Sequence, residues 1–314
     1  MTTPVSISSM LADPGGVVVQ GITGRQGQLE TRWMLDSGTH VAAGVTPGKG
    51  GQVVHGVPVY DTVEEAIAKH ACRASMIYAP RHIAAGAAIE AINAGVRLVA
   101  ISAEDVPMHD MIRLIDVAKE HDAVVVGPNT QGLLVPGLGR IGSPGGTDVN
   151  ERFSPGHVAV VSRSGGMTGE IGHLLHLWGF GTSVQIHLGG AVMPATTLRD
   201  GVALAERETI TKITVVFGEP SSSQEDVLAA AIADGQMRCP VVAMVAGRFS
   251  DTFPAMLPFG HAPRATGDSA TNVAAKYANL TDAGAFVAHN FTQLREQVER
   301  LTANLATHVN PEAS

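Results

Sequence analysis

Short runs of β-branched and other apolar residues recur along the chain, each followed by a glycine-rich turn and then a stretch with helical spacing. The first is GVVVQ at 16–20, followed by GITGRQG and an amphipathic stretch from about Gln26 to Asp36. HVAAGV (40–45), SMIYA (75–79), RLVAIS (97–102) and AVVVG (123–127) continue the series. Helical patterns lie at about 62–69, 83–94 and 108–121. Apolar runs that do not alternate with polar residues suit strands buried on both faces, so this order predicts a doubly wound parallel sheet.

The stretch from about Leu134 to Pro155 is rich in glycine and proline and reads as a linker or crossing loop. A second series then begins with HVAVVS (157–162), TSVQIH (182–187), ITVVFG (213–218), VVAMVAG (241–247) and AFVAH (285–289), and a helix over about 291–305 closes it. The pattern predicts an α/β protein of two Rossmann-like, flavodoxin-like domains, 1–145 and 146–314. The first sixteen residues lack a basic stretch followed by an apolar core, so they read as a short leader and not as a signal peptide.

Composition narrows the function classes. A chain of 314 residues has room for two domains, and 45% hydrophobic with 16% charged residues describes a soluble globular protein. The formal charge of −8 and the lack of any lysine–arginine block argue against a nucleic-acid partner. No apolar run reaches the length of a membrane span. Cys72 and Cys239 are isolated, which indicates neither a disulfide framework nor a metal site and fits a reducing cytoplasm.

Four motifs carry candidate chemistry. VQGITGRQG places Gly21, Gly24 and Gly27 at three-residue spacing between a strand and a helix. Glycines there admit a phosphate to the backbone, and the helix N-terminus favours an anion. It is not the dinucleotide G-x-G-x-x-G, because Ile22 and Thr23 separate the first two glycines; the alternative to a phosphate site is a tight turn with no ligand. GVTPGKGG (44–51) sets Lys49 in a glycine loop after the neighbouring strand, either as a phosphate contact or as a solvated turn lysine. VVSRSGGMTGE (160–170) repeats the strand-to-helix anion geometry, with Ser164, Gly165 and Gly166 offering amides and a hydroxyl. VVFGEP (215–220) brings Glu219 to the end of a further strand, where a carboxylate either orients a histidine or faces water. Among thirteen histidines, His261 in PFGHAP follows the next strand, within reach of the same crevice, where a neutral imidazole has a nucleophilic lone pair.

Taken in order, QGITGRQG, AGVTPGKGG, GPNTQG (127–132), SRSGGMTGE, FGE and GHA resemble the α subunit of succinyl-CoA synthetase and, more broadly, the nucleoside-diphosphate-forming acyl-CoA ligases. The resemblance runs from about Val17 to the final helix. It implies a CoA-binding first domain, with Thr23, Gly24, Arg25 and Gln26 in the turn that holds the CoA phosphates. Gly21, Lys49, Pro80, Ser102, Ala103, Glu104 and Asn129 complete the implied CoA contacts. His261 falls on the phosphohistidine of that family, Glu219 on its supporting carboxylate, and Ser164, Gly165 and Gly166 on the turn that stabilises the phosphoryl group. The implied reaction joins a small carboxylic acid to CoA at the expense of ATP or GTP, with the nucleotide and Mg²⁺ on a separate ATP-grasp β subunit in an αβ or α₂β₂ assembly.

Departures from that family's pattern cluster around the acyl group. Gly166 stands for threonine and Gly169 for a tyrosine near the acid, Thr130 and Gln131 replace Cys and Pro, and Ala191 replaces an aspartate. After the histidine, Pro263 and Arg264 stand in a segment that is glycine-rich in the family. These changes point to an acid other than plain succinate, bulkier or hydroxylated. They also leave open a CoA-binding regulatory or scaffold subunit without phosphotransfer, and a related acyl- or carbamoyl-transfer subunit.

Overall fold

The computed structural model describes residues 5–220, 222–247 and 272–309, with side chains as far as 305. His261, Pro263 and Arg264 lie outside the described residues. The chain opens with α1 (Ile7–Leu11), β1 (Val17–Gln20), α2 (Arg25–Asp36) and β2 (Val41–Val45). Next come β3 (Val53–Val54), β4 (Val57–Tyr60), α3 (Val63–His70), β5 (Ala74–Ile77) and α4 (Arg81–Asn93). The first half ends with β6 (Leu98–Ile101), α5 (Met108–Glu120) and β7 (Val124–Val126). The second contains β8 (Gly132–Val135), β9 (Gly139–Gly142), α6 (Val149–Arg152), β10 (Pro155–Ser162), α7 (Gly165–Leu177) and β11 (Thr182–His187). It continues with α8 (Leu198–Ala205), β12 (Ile213–Gly218), α9 (Gln224–Ala233) and β13 (Val241–Val245), and then α10 (Val273–Asp282), β14 (Phe286–Val287) and α11 (Phe291–Val309).

Two seven-stranded sheets result, in the orders β3-β4-β2-β1-β5-β6-β7 and β14-β13-β12-β10-β11-β8-β9. All pairings in the first are parallel except β3 with β4. In the second, β8 runs antiparallel to β11 and β9 antiparallel to β8. This is the α/β architecture of two mainly parallel sheets that the strand–turn–helix rhythm predicts. Within β1 successive residues serve different cores: Val18 joins the layer under α3, α4 and α5, whereas Val19 faces Met34 of α2. Val17 belongs to a third cluster that also takes in Met76 and Ala100 of the first sheet and Leu133, Ile141 and Val161 of the second. The two sheets therefore share a core across their junction.

Three stretches differ from the pattern reading. The expected linker holds β8 and β9, so the second sheet begins at Gly132, ahead of the change expected near residue 145. Glycine is demanded there by contact: a Cβ on Gly132 would lie 1.8 Å from the Ile141 carbonyl oxygen. A short hairpin, β3–β4, adds an edge to the first sheet. The expected leader folds into α1, whose Ile7, Met10 and Leu11 are buried. Its first amides are held from far along the chain, with Ile7 N donating to Glu208 Oε1 at 2.6 Å.

Candidate active site at the junction of the two sheets

In each sheet the strand order reverses once, and loops leaving the strands on either side of such a reversal diverge and open a crevice. The first reversal separates β1 from β5. After β1, Gly21 takes φ +77° and donates its N–H to Val45 O at 2.7 Å, and Gly24 N closes back on Gly21 O at 3.0 Å. A Cβ on Gly21 would lie 2.8 Å from Tyr78 O, and one on Gly27 only 2.2 Å from Gly21 O, so this turn closes only on glycine. Gly24 caps α2 without a side-chain hydrogen bond, and uncapped first amides at a helix N-terminus are a geometry that favours an anion. Thr23 Oγ1 bonds Thr46 Oγ1 in the next loop at 3.2 Å. Gly21, Thr23, Gly24, Thr46 and Pro80 border a cavity of ≈ 720 Å³.

Tyr78, Ala79 and Pro80 also border a second cavity of ≈ 900 Å³. Gln26, Ser102, Ala103, Glu104 and Asn129 from the first domain meet Ser164, Gly165 and Gly166 from the second on its walls. Polar contacts order this surface. Gln26 Nε2 donates to Ser102 Oγ at 3.0 Å and to Glu30 Oε1 at 3.0 Å, and Asn129 Nδ2 donates to Glu104 Oε1 at 3.0 Å. Tyr78 Oη donates to Glu30 Oε2 at 2.8 Å. Burial, reinforced by the Glu30 carboxylate, holds the Tyr78 hydroxyl well above its usual range, so it stays a donor at neutral pH. Arg25 and Lys49 are exposed and stand outside the walls of both cavities.

The second reversal separates β10 from β12, and the Ser164 turn and Glu219 leave these two strands. Ser164 N donates to Ser162 Oγ at 2.9 Å, and Ser164 Oγ accepts from Met167 N at 3.4 Å at the start of α7. A Cβ on Gly165 would lie 2.7 Å from Gln131 Cδ, whereas at Gly166 and Gly169 nothing comes within 4 Å. Glu219 is buried beside the equally buried Arg163, whose Nη1 lies 3.9 Å from Glu219 Oε2. Arg163 Nη2 donates to the carbonyl oxygen of Ala191 at 2.9 Å. His187 Nδ1 accepts from Gln131 N at 2.8 Å, so its proton sits on Nε2, which donates to Arg163 O at 3.0 Å. Thr130 Oγ1 donates to the His187 carbonyl.

Gly169 borders a third recess of ≈ 350 Å³ with Trp33, Arg152 and Glu170. Gln131, Ser143, Gly165 and Gly166 are common to it and to the large cavity. Arg140 fixes its outer wall, with Nη2 on Trp33 O at 2.7 Å and Nη1 on Pro144 O at 3.1 Å and on Gly146 O. Burial lowers the Arg140 pKa from its ordinary value. The large cavity thus adjoins both of the others, sharing Tyr78, Ala79 and Pro80 with the one at the β1 turn and Gly165 and Gly166 with the recess at Gly169.

Sequence reading did not single out Glu30, Trp33, Tyr78, Arg152, Arg163 or His187. Arg163 lies within the motif SRSGGMTGE; the others reach the site only through tertiary packing. Among the described residues no group of three or more His, Cys, Asp or Glu is placed to hold a metal ion. Nor is any described helix long and apolar enough to cross a membrane.

Residues 13–105, which carry the first two glycine loops, match the CoA binding domain family. Over 285 residues the chain is 40% identical to succinate–CoA ligase [ADP-forming] subunit alpha 1 of Archaeoglobus fulgidus, covering 91% of this chain and 95% of that one. It is 34% identical to an ADP-forming sulfoacetate-CoA ligase subunit of an Acholeplasma species, with the same coverage of 91% and 95%. It superposes on ATP citrate lyase from Methanothrix soehngenii, solved in complex with citrate and coenzyme A, with a TM-score of 0.84 at 26% identity. That match covers 95% of this chain and 51% of the lyase, so the chain spans about half of it. The chain belongs to the family of α subunits of ADP-forming CoA ligases.

Proposed function

We propose that this chain is the α subunit of an acid–thiol ligase that works in three balanced steps with an ATP-grasp β subunit, which binds the nucleotide and Mg²⁺. A nucleoside triphosphate transfers its γ-phosphoryl group to a nitrogen of His261, releasing the diphosphate. A carboxylate oxygen of the acid takes that phosphoryl group, freeing the imidazole and forming an acyl phosphate. The CoA thiol, losing its proton, attacks the acyl carbon and expels phosphate. No covalent work is asked of the Ser164 turn: it supplies oriented amides where charge gathers. Glu219 would orient His261 and support its cationic form.

One observation carries this reading. The loops assigned to CoA and the anion-binding turn of the second domain share the wall of a single cavity, so a CoA held along the first brings its thiol to the second. Gly21, Thr23, Gly24 and Gln26 would hold the phosphate end. Pro80, Ser102, Ala103, Glu104 and Asn129 would line the arm, with Arg25 and Lys49 contributing charge from the rim. The open space at Gly166 and Gly169 is the room for the acid. The named relatives use succinate and sulfoacetate, each a short acid with a second anionic group, and Arg152 is the cation of this recess. We assign an acid of that class, bulkier than succinate, and a cytoplasmic place of work.

Co-expression with the β subunit tests the reading. Repeated turnover to diphosphate should require both CoA and an acid, whereas labelled triphosphate alone should release one diphosphate per chain and leave an acid-labile, base-stable phosphoryl group on it. His261→Ala should abolish that label; label persisting in the variant removes the assigned nucleophile. A panel of acids in which plain succinate gives the highest kcat/KM removes the bulkier-acid assignment.

A further inference from the structure

Behind the crevice, where the mechanism uses no side chain, lies a second buried ion pair. Lys276 of α10 and Glu225 of α9 are 0% and 1% exposed, with Nζ 2.7 Å from Glu225 Oε2. An ion pair this deep is poor evidence of stabilisation in itself, because desolvation offsets the attraction. What the pair touches is more informative. Lys276 Nζ donates to the carbonyl oxygen of Glu219 at 2.8 Å and to that of Ser222, which with Glu225 uses all three ammonium protons. Glu225 Oε1 accepts from Glu219 N at 2.9 Å. Both main-chain polar groups of Glu219 are therefore held by one pair. The preceding position is cut to fit it: a Cβ on Gly218 would lie 2.4 Å from Glu225 Oε1.

The Lys276 anchor comes from the first helix after the segment that contains His261. Its partner sits in the first turn of α9, directly after the loop that Glu219 begins. A loop glutamate whose two main-chain torsions are both free would aim its carboxylate broadly. Here the peptide groups on both sides of its Cα are fixed, and only side-chain rotation remains. We infer that Lys276 and Glu225 are positioning residues for phosphoryl transfer: they fix the main chain of Glu219 and with it the direction in which its carboxylate leaves the strand end. This inference rests on the reading of Glu219 as the supporting carboxylate.

The test uses the complex with its β subunit, phosphorylated beforehand. It measures the single-turnover rate constant for return of the phosphoryl group to ADP. Unfolded chain lowers the amplitude of that reaction and leaves its rate constant alone, so a merely structural role shows only in amplitude. Lys276→Met and Glu225→Gln should each lower the rate constant by about ten- to a hundredfold, the range for a misplaced catalytic group, with the KM for CoA unchanged. The double variant Glu225→Gln/Lys276→Met leaves no unpaired charge inside and should regain thermal stability. Its rate constant should nevertheless stay low, because the Glu219 carbonyl has lost its anchor. A double variant with the wild-type rate constant overturns the inference. Glu219→Gln, run alongside, separates the failures. If it is slow while the Lys276 and Glu225 variants are not, positioning alone is wrong; if it too is at the wild-type rate, the role of Glu219 falls with it.

Discussion

At Gly27 an added Cβ would meet the Gly21 carbonyl at 2.2 Å, and the atom it meets is backbone, which has no rotamer with which to move away. Gly27→Ala should destabilise the chain by about 1–3 kcal/mol, the usual cost of overpacking. It should also weaken CoA binding measured by calorimetry, since the displaced turn carries the uncapped amides of α2. Cys72 gives a pH dependence. Burial, aided by the Asp13 charge, pushes its thiol from the ordinary 9.0 to about 11. The unfolded chain thus loses this proton at lower pH than the native one, so the stabilisation is whole below 9.0 and is lost as pH rises through about 11. Urea midpoints of the wild type should fall more steeply over that window than those of Cys72→Ala. Glycine spacing made the β1 turn legible in the sequence, but Tyr78 and Glu30 were not legible, because their 2.8 Å contact joins the residue after β5 to α2, far away in sequence.

Among the elements, α1 is the clearest case of a segment whose place depends on a distant partner. Five residues cannot sustain a helix alone in water. Glu208 supplies the missing acceptors, taking the Ile7 amide at 2.6 Å and the Ser8 amide at 3.4 Å, and Ile7, Met10 and Leu11 then fill the core. Glu208→Ala should therefore cost about 1.5–3 kcal/mol, as for a hydrogen-bonded charged group, and should expose the N-terminus to limited proteolysis. Apolar runs identified most strands to within a residue or two. They missed the β3–β4 hairpin, β8 and β9; around β9 GLGRIG carries loop composition because a Cβ on Gly142 would meet the Gln131 carbonyl oxygen at 2.2 Å.

For the molecule as a whole, the shared core is the decisive feature. Val17 and Met76 pack in one cluster with Leu133, Ile141 and Val161. Polar links reinforce it: Thr39 Oγ1 accepts from Arg140 N at 2.8 Å and donates to Arg140 O at 2.7 Å. The two sheets and their helices should consequently melt in one calorimetric transition. CoA at a hundred times its Kd should raise the stability of that whole transition by about 2.7 kcal/mol. A biphasic trace in which CoA moves only one step would show that the junction does not couple them.

The sequence by itself determined the α/β order, the glycine turns and the Ser164 turn at the start of α7. These depend on local periodicity and on backbone freedom within a few residues, which composition records directly. Only the tertiary structure decided that the two reversal points face one cavity, that a recess opens at Gly166 and Gly169, and that Lys276 and Glu225 grip both sides of Glu219. Such meetings join residues far apart in the chain, and their distances are set by how the sheets pack, not by spacing along the sequence.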